Sequence, residues 1–278
     1  MNATPLIWID GEPAGALSLP DRGLDFGDGL FETLLLWQGV PQFLQFHLDR
    51  LAAGLEVLGF PDCLDRAKAC LADAAASLAE RQWSALRLTI TRGAGPRGYA
   101  PPENAQPRIV ITAAPLAQDR QLIPPAVELG WANLRWSSQP LLAGIKHLNR
   151  LEQVLVAREV SAAGCDDLIV EDQHGHLCSV SAGNLFLVEQ GRLLTPALET
   201  CGIAGTRRRL VLEELAPALG IPAAEAHIDR ERLLQADEVF CCNSIRGFQA
   251  VAAIPERRWD SHPVCTALHQ RYVEAMAC

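Results

Sequence analysis

Lysine is almost missing from this chain: Lys68 and Lys146 stand against 22 arginines. Arginine keeps its proton at any workable pH, so no arginine can act as an amine nucleophile. A lysine can, once desolvation or a neighbouring cation lowers its pKa. Lys146 is therefore a candidate for chemistry, with a leftover surface lysine as the plain alternative. Positive charge is also in deficit. The net charge of -9 argues against a nucleic-acid surface and against attraction to anionic membranes. No apolar run is long enough for a membrane helix, and no basic-then-apolar leader opens the chain, so a cytoplasmic protein is expected. The nine cysteines form no Cys-x-x-Cys pair, and their odd number and scattered spacing point to reduced, mostly buried thiols. Seven histidines show no metal-ligand spacing, no metal site is expected, and His47 and His147 read as structural. Internal repeats and low-complexity tracts are missing too.

What is present is an alternation of strand and helix signals. Residues 6–9 followed by Asp10-Gly11, and residues 30–37 followed by Gln38-Gly39, read as strands entering hairpin turns. Leu48, Leu51, Leu55 and Leu58 recur at helical spacing, and Gly59 and Pro61 stop that helix. An alanine-rich helix over 65–82 carries Lys68 on a solvated face; a strand covers 87–91 and a buried-type strand 108–113. The polar, proline-bearing stretch 115–125 is the best linker, dividing the chain into 1–116, a linker at 117–125, and 126–278. Beyond it come strands at 127–131, 167–170, 184–188, 192–195, 239–242 and 248–254. Helices are expected at 148–161 and 206–219. The class is α+β in two domains, a smaller N-terminal and a larger C-terminal one.

Three local features suit an anion. Arg50 sits in the first turns of a helix, in His47-Leu48-Asp49-Arg50-Leu51. Gly202-Ile203-Ala204-Gly205-Thr206-Arg207 is a glycine-bearing loop running into a helix, where backbone N–H groups can approach a phosphate. Asn243-Ser244 follows an apolar strand and offers amide and hydroxyl donors at its end. The plain alternatives are a helix-surface arginine paired with a carboxylate, an αβ turn capped by Thr206, and an ordinary turn. With a scarce lysine, the three fit a phosphorylated aldehyde cofactor, pyridoxal 5'-phosphate, held by its phosphate and captured by an amine.

Several motifs follow one another in a fixed order: Phe26-Gly27-Asp28-Gly29-Leu30-Phe31-Glu32-Thr33, His47-x-x-Arg50-Leu51, Thr91-Arg92-Gly93, Lys146-x-Leu148-Asn149, Asn184-Leu185-Phe186 and Gly205-Thr206-Arg207-Arg208. Together they resemble the class IV aminotransferases, pyridoxal-phosphate enzymes of fold type IV like the D-amino-acid aminotransferases. The resemblance runs from about residue 5 to 255. Residues 143–153, Gly98-Tyr99 and Gln235-Ala236-Asp237-Glu238 are more similar to the aminodeoxychorismate lyase branch than to the transaminases.

The resemblance implies a cofactor held at the domain interface. Lys146 would bind it and then move protons. Arg50, the backbone of Thr206 and Arg207, and Asn243-Ser244 would hold the phosphate. Arg97 and Tyr99 would contact substrate carboxylate from a neighbouring subunit, making a homodimer with shared sites; an exposed loop tip is the alternative. Thr33 would lie near the substrate as a proton relay, or be only a β-favouring strand residue. Phe31 lacks the phenol found there in some D-amino-acid transaminases. One position departs from the family: its glutamate on the pyridine nitrogen, five residues before the asparagine of Asn-Leu-Phe, is here Ser179. A carboxylate favours a protonated ring nitrogen, whereas a hydroxyl suits a neutral one. The weaker electron sink disfavours transamination more than an elimination driven by aromatisation. The implied activity is a carbon–oxygen lyase acting on a small molecule in the p-aminobenzoate branch of folate synthesis. A branched-chain or D-amino-acid transaminase and, because of Ser179, a non-catalytic cofactor-binding protein are the rivals.

Overall fold

The structure is a computed structural model, and it describes residues 6–277. Cys278 lies outside them. The chain forms two compact units. The first takes the described residues through Asp119, together with Ile145–Asn149, Met276 and Ala277. The second takes Arg120–Gly144 and Arg150–Ala275. The segment carrying Lys146 thus belongs to the first unit, although it follows the expected linker in sequence.

The first unit contains β1 (Leu6–Ile9), β2 (Glu12–Pro13), α1 (Arg22–Phe26), β3 (Gly29–Trp37), β4 (Val40–Pro41), α2 (Leu44–Val57), α3 (Leu64–Ala76), β5 (Trp83–Thr91) and β6 (Arg108–Pro115). Its strands form one sheet in the order β2-β1-β6-β5-β3-β4, antiparallel throughout. Asp10-Gly11 and Gln38-Gly39 make the two expected tight turns. In the β3–β5 ladder Leu30 faces Ile90, Glu32 faces Leu88 and Leu34 faces Leu86. Residues directly opposite share a face, and successive residues alternate faces. These positions therefore form one buried face, against which α2 packs Leu48, Leu51 and Leu55. The other face carries Phe31 opposite Thr89 and Thr33 opposite Arg87.

The second unit contains β7 (Val127–Trp131), α4 (Leu151–Ala163), β8 (Asp167–Glu171), β9 (Leu177–Val180), β10 (Asn184–Glu189), β11 (Arg192–Pro196), α5 (Thr206–Leu210), α6 (Ala216–Ala218), β12 (Ala223–Ala226), α7 (Arg230–Gln235), β13 (Glu238–Asn243), β14 (Gly247–Ile254), β15 (Arg257–Arg258) and α8 (Pro263–Glu274). The strand order is β12-β11-β10-β13-β14-β7-β8-β9, with β15 on β14. Parallel pairs occur at β11–β12, β14–β7 and β7–β8. Strands β8, β9 and β10 are buried almost throughout, and β8 and β10 read as strands in the sequence for that reason. Leu185, Leu187, Val239, Val251 and Leu129 lie in one core cluster. Trp136, Val156, Val170 and Cys178 lie in another.

Several details differ from the sequence expectation. The alanine-rich helix α3 stops at Ala76 rather than running on to 82; the Ser77 hydroxyl donates to the Ala74 carbonyl and satisfies an end group there. Helix α4 begins at Leu151, because residues before it are drawn into strand pairing with β3. The helix over 206–219 widens into a π segment, Val211–Leu215, just before Pro217, which has no N–H to continue the ladder. Strand β6 alternates buried and half-buried positions instead of being buried throughout. Eight cysteines are described as free thiols, and all but Cys165 are buried. No helix among the described residues is long and apolar enough to cross a membrane.

Candidate active site

Lys146 is not on a helix. The Phe31 N–H donates to the Lys146 carbonyl at 2.9 Å, and the Leu148 N–H donates to the Gly29 carbonyl at 3.0 Å. Leu30 and His147 form the antiparallel bridge between these bonds. The lysine segment is thus an added strand on the free edge of β3, and its register sets Lys146 beside Phe31. Gly29 is needed for this approach, since a Cβ there would collide with the Ile90 carbonyl and lie 2.7 Å from the Leu148 side chain. Asn149 adds a tie, donating from Nδ2 to the Gly27 carbonyl at 3.2 Å. The Lys146 Nζ ends 4.4 Å from the centroid of the Phe31 ring. Arg87 holds its guanidinium 3.8 Å from the same centroid. Thr33, half-buried, is the cross-strand neighbour of Arg87.

Glu32 points to the opposite face of β3, into the helix-covered core. Arg50 on α2 grips it with two points, Nε to Oε1 at 2.8 Å and Nη2 to Oε2 at 2.5 Å. His47, one turn earlier on α2, places Nδ1 2.6 Å from Glu32 Oε2. Burial alone would raise the Glu32 pKa, but Arg50 and His47 outweigh it and hold the carboxyl at about 2. Arg50 therefore has the carboxylate pairing that was its plain alternative, and any phosphate would share the guanidinium with Glu32.

The second unit carries the remaining candidates for holding the cofactor. Ser179, on β9 and buried, accepts a hydrogen bond at Oγ from Trp136 Nε1 at 2.9 Å. An indole nitrogen only donates, so the serine oxygen is the acceptor here and the hydroxyl proton remains its donor. Thr206 and Arg207, both buried, open α5 behind Gly205 as N-cap. Gly205 admits no side chain, because a Cβ would collide with Asn184 Oδ1. Asn184 also donates from Nδ2 to the Ile203 carbonyl at 2.9 Å, bracing the loop. Arg207 Nη2 reaches the Ser244 carbonyl at 3.4 Å, which brings the two candidate phosphate segments together. Asn243 uses its own amide locally: Nδ2 donates to the Ala182 carbonyl, and Oδ1 accepts from the Ile245 and Arg246 N–H groups.

Arg97 and Tyr99 are exposed on the loop between β5 and β6. Arg22 steadies that loop by donating to the Gly98 and Tyr99 carbonyls at 3.0 and 2.7 Å. Sequence reasoning missed Arg87 and Trp136, and gave Glu32 no role. A carboxylate inside the apolar strand Leu30 to Leu36, with His47 and Arg50 spaced one turn apart, was a signal for the Glu32 cluster. Nothing local marked Trp136 as the partner of Ser179, 43 residues away. Among the described residues no group of three or more His, Cys, Asp or Glu side chains could hold a metal ion.

Comparison with known proteins gives a consistent picture. The family model for amino-transferase class IV matches residues 29–254. An aminodeoxychorismate lyase of Vibrio harveyi is 34% identical over 264 residues, 92% of this chain and 94% of that protein. The crystal structure of 4-amino-4-deoxychorismate lyase from Pseudomonas aeruginosa superposes with a TM-score of 0.90 at 40% identity, covering 97% of this chain and 98% of that one. A putative branched-chain-amino-acid aminotransferase of Methanocaldococcus jannaschii is 30% identical over 82% of this chain and 79% of its own length. The chain belongs to the class IV aminotransferases, a family of pyridoxal-phosphate-dependent enzymes of fold type IV.

Proposed function

We propose that this chain is a pyridoxal-phosphate-dependent carbon–oxygen lyase that converts 4-amino-4-deoxychorismate to p-aminobenzoate and pyruvate, a step of folate biosynthesis. The observation that carries the reading is the lysine strand: the scarce amine of Lys146 is fixed by β-pairing to Phe31 rather than left on a mobile surface chain. The residues fit the cofactor. Ser179, with its oxygen engaged by Trp136, has the donor that a neutral pyridine nitrogen accepts. The Gly205 turn, closed to any Cβ, lets the backbone of Thr206 and Arg207 come close to a phosphate. Arg50, Asn243 and Ser244 are assigned to the same phosphate.

The cofactor supplies an aldehyde to capture the substrate amine and a ring that acidifies the neighbouring C–H bond. Lys146 takes the proton from C4 of the substrate. The C–H electrons become a ring double bond as the C3–O bond breaks, and the enolpyruvate that leaves gains a proton and becomes pyruvate. Thr33 is assigned to the substrate side as a proton relay. Ser179 would donate to the pyridine nitrogen and so favour its neutral form, a weaker electron sink than the protonated ring. Aromatisation of the ring supplies the driving force that transamination lacks.

The reading extends to a homodimer in which Arg97 and Tyr99 of one subunit serve the site of the other, supported by their exposure on a loop held by Arg22. It also includes a cytoplasmic location, which the free thiols suit. Purified holoenzyme should release p-aminobenzoate and pyruvate in equal amounts from enzymatically made 4-amino-4-deoxychorismate. Branched-chain and D-amino acids should leave its cofactor spectrum unchanged. Conversion of the bound cofactor to its amine form by those amino acids, without p-aminobenzoate, would replace the lyase with a transaminase.

A further inference from the structure

Two thiols of the second unit lie against each other, each next in sequence to residues assigned to the cofactor. The Sγ atoms of Cys178 and Cys201 are 3.5 Å apart and hydrogen-bonded. Both belong to the buried cluster that holds Trp136, Val156 and Val170. Cys178 is followed at once by Ser179, and Cys201 by the loop from Gly202 to Arg207.

The backbone explains why they meet. In the β8–β9 ladder Val170 faces Ser179 and Glu171 faces Leu177, so Cys178 is the extra residue of a bulge. A bulge turns a side chain out of strict alternation. Gly202, with φ +84°, turns the chain directly after Cys201, and a Cβ there would lie 2.7 Å from the Cys178 Sγ. The Gly202 carbonyl accepts from the Gly144 N–H at 3.1 Å, and the Ala204 N–H donates to the Gly144 carbonyl at 2.9 Å. One loop therefore packs on Cys178, pairs with Gly144 and leads into Thr206 and Arg207.

The two thiols are not equivalent. The hydrogen bond with Cys178 holds the Cys201 thiol below its ordinary value, against the opposing effect of burial. The same hydrogen bond, together with burial, pushes Cys178 well up. Burial likewise pushes up Cys63, Cys70, Cys241, Cys242 and Cys265. Cys201 is also the more exposed of the pair, 8% against 2% for Cys178. Since the thiolate is the reactive form, Cys201 is the sulfur that a small oxidant attacks first, and Cys178 is in place to resolve the product.

We propose that Cys178 and Cys201 form an oxidative modification site, a dithiol that hydrogen peroxide closes to a disulfide, and that closure loosens the hold of the adjoining loop on the cofactor. The Cys201 thiolate attacks one peroxide oxygen; the O–O bond breaks, and the other oxygen takes a proton and leaves as water. The Cys178 sulfur then attacks the S–OH of Cys201; the S–O bond breaks, and a second water leaves with the Cys178 proton. Two thiols and one peroxide thus give one disulfide and two waters. A disulfide bond is about 2.05 Å long, so the sulfurs must close by about 1.5 Å from their 3.5 Å separation. Leu177 and Ser179 are paired to β8 on either side of Cys178, so most of that movement falls on the Cys201 loop. A misplacement of about 1 Å in a positioning group is enough for a loss of about a hundredfold. The effect on the cofactor rests on the assignment of Thr206 and Arg207 to its phosphate; formation of the disulfide does not.

The test treats native, Cys201→Ser and Cys201→Ala holoenzymes with hydrogen peroxide and then removes the oxidant with catalase. Alkylation under denaturing conditions with peptide mass spectrometry maps the thiols, and dialysis followed by absorbance gives the rate at which pyridoxal phosphate is lost. The native protein should yield a Cys178–Cys201 linked peptide and lose its cofactor at least about tenfold faster than before treatment, and dithiothreitol should reverse both changes. The variants should yield no linked peptide, and treatment should leave their cofactor loss within about twofold. Recovery of Cys178 and Cys201 from treated native protein as separate alkylated or sulfinic peptides overturns the site. A linked peptide with unchanged cofactor loss overturns its coupling to the loop. An untreated Gly205→Ala holoenzyme that keeps its cofactor as the native protein does overturns the phosphate assignment itself, without any oxidation.

Discussion

Replacing Glu32 by glutamine tests the electrostatics of the first unit with almost no change of shape. The carboxyl is held at about 2 against an ordinary 4.5. That difference corresponds to about 3 kcal/mol of preference for the charged form in the folded state. Glutamine removes the charge and leaves the Arg50 guanidinium, 11% exposed, opposite a neutral amide. Breaking one side of a buried pair costs about 3–5 kcal/mol, so both routes give a loss near 3 kcal/mol. Urea unfolding followed by tryptophan emission is the assay, since Trp37 and Trp83 stack at 5.4 Å in the same unit. The pH dependence makes the test sharper. A depressed folded-state pKa stabilises above the unfolded value and is lost as pH falls through the folded value. The native advantage over Glu32→Gln should be full at neutral pH and should shrink by about 1.4 kcal/mol near pH 3.5, one unit below the ordinary pKa. A gap under about 1 kcal/mol at neutral pH, or one that does not change down to pH 3.5, would refute the reasoning.

Other outcomes follow from the site. Ser179→Glu should leave lyase activity within about tenfold, or about 1.4 kcal/mol in barrier, as measured by p-aminobenzoate formation. A much larger gain would mean that the serine cripples the enzyme. Gly205→Ala forces a Cβ into Asn184 Oδ1 and should weaken cofactor binding at least tenfold in a spectrophotometric titration, because the Thr206 backbone must move.

The strands were legible because their alternation and turn residues are local. Leu6–Ile9, Gly29–Trp37 and the strands β10 and β11 were visible for that reason. The helices α1 and α7, too short for two full turns of periodicity, were not, and neither was the longer α8. The start of α4 was misjudged because Lys146 to Leu148 obey a long-range partner, the edge of β3, more than 100 residues earlier in the chain. The candidate site divides in the same way. Lys146 showed itself through scarcity, and Ser179 through its departure from a motif. Arg87 is ordinary in sequence and becomes distinct only when the ladder sets it beside Thr33 and over Phe31. Trp136 likewise acquires meaning only through its hydrogen bond to Ser179.

The most direct measurement of the central claim is p-aminobenzoate formation from 4-amino-4-deoxychorismate by native and Lys146→Ala proteins, each saturated with pyridoxal phosphate. The account predicts steady formation by the native enzyme and a loss of at least about a thousandfold in the variant, which has no amine to bind the cofactor or to take the C4 proton. Equal rates in the two proteins would contradict it.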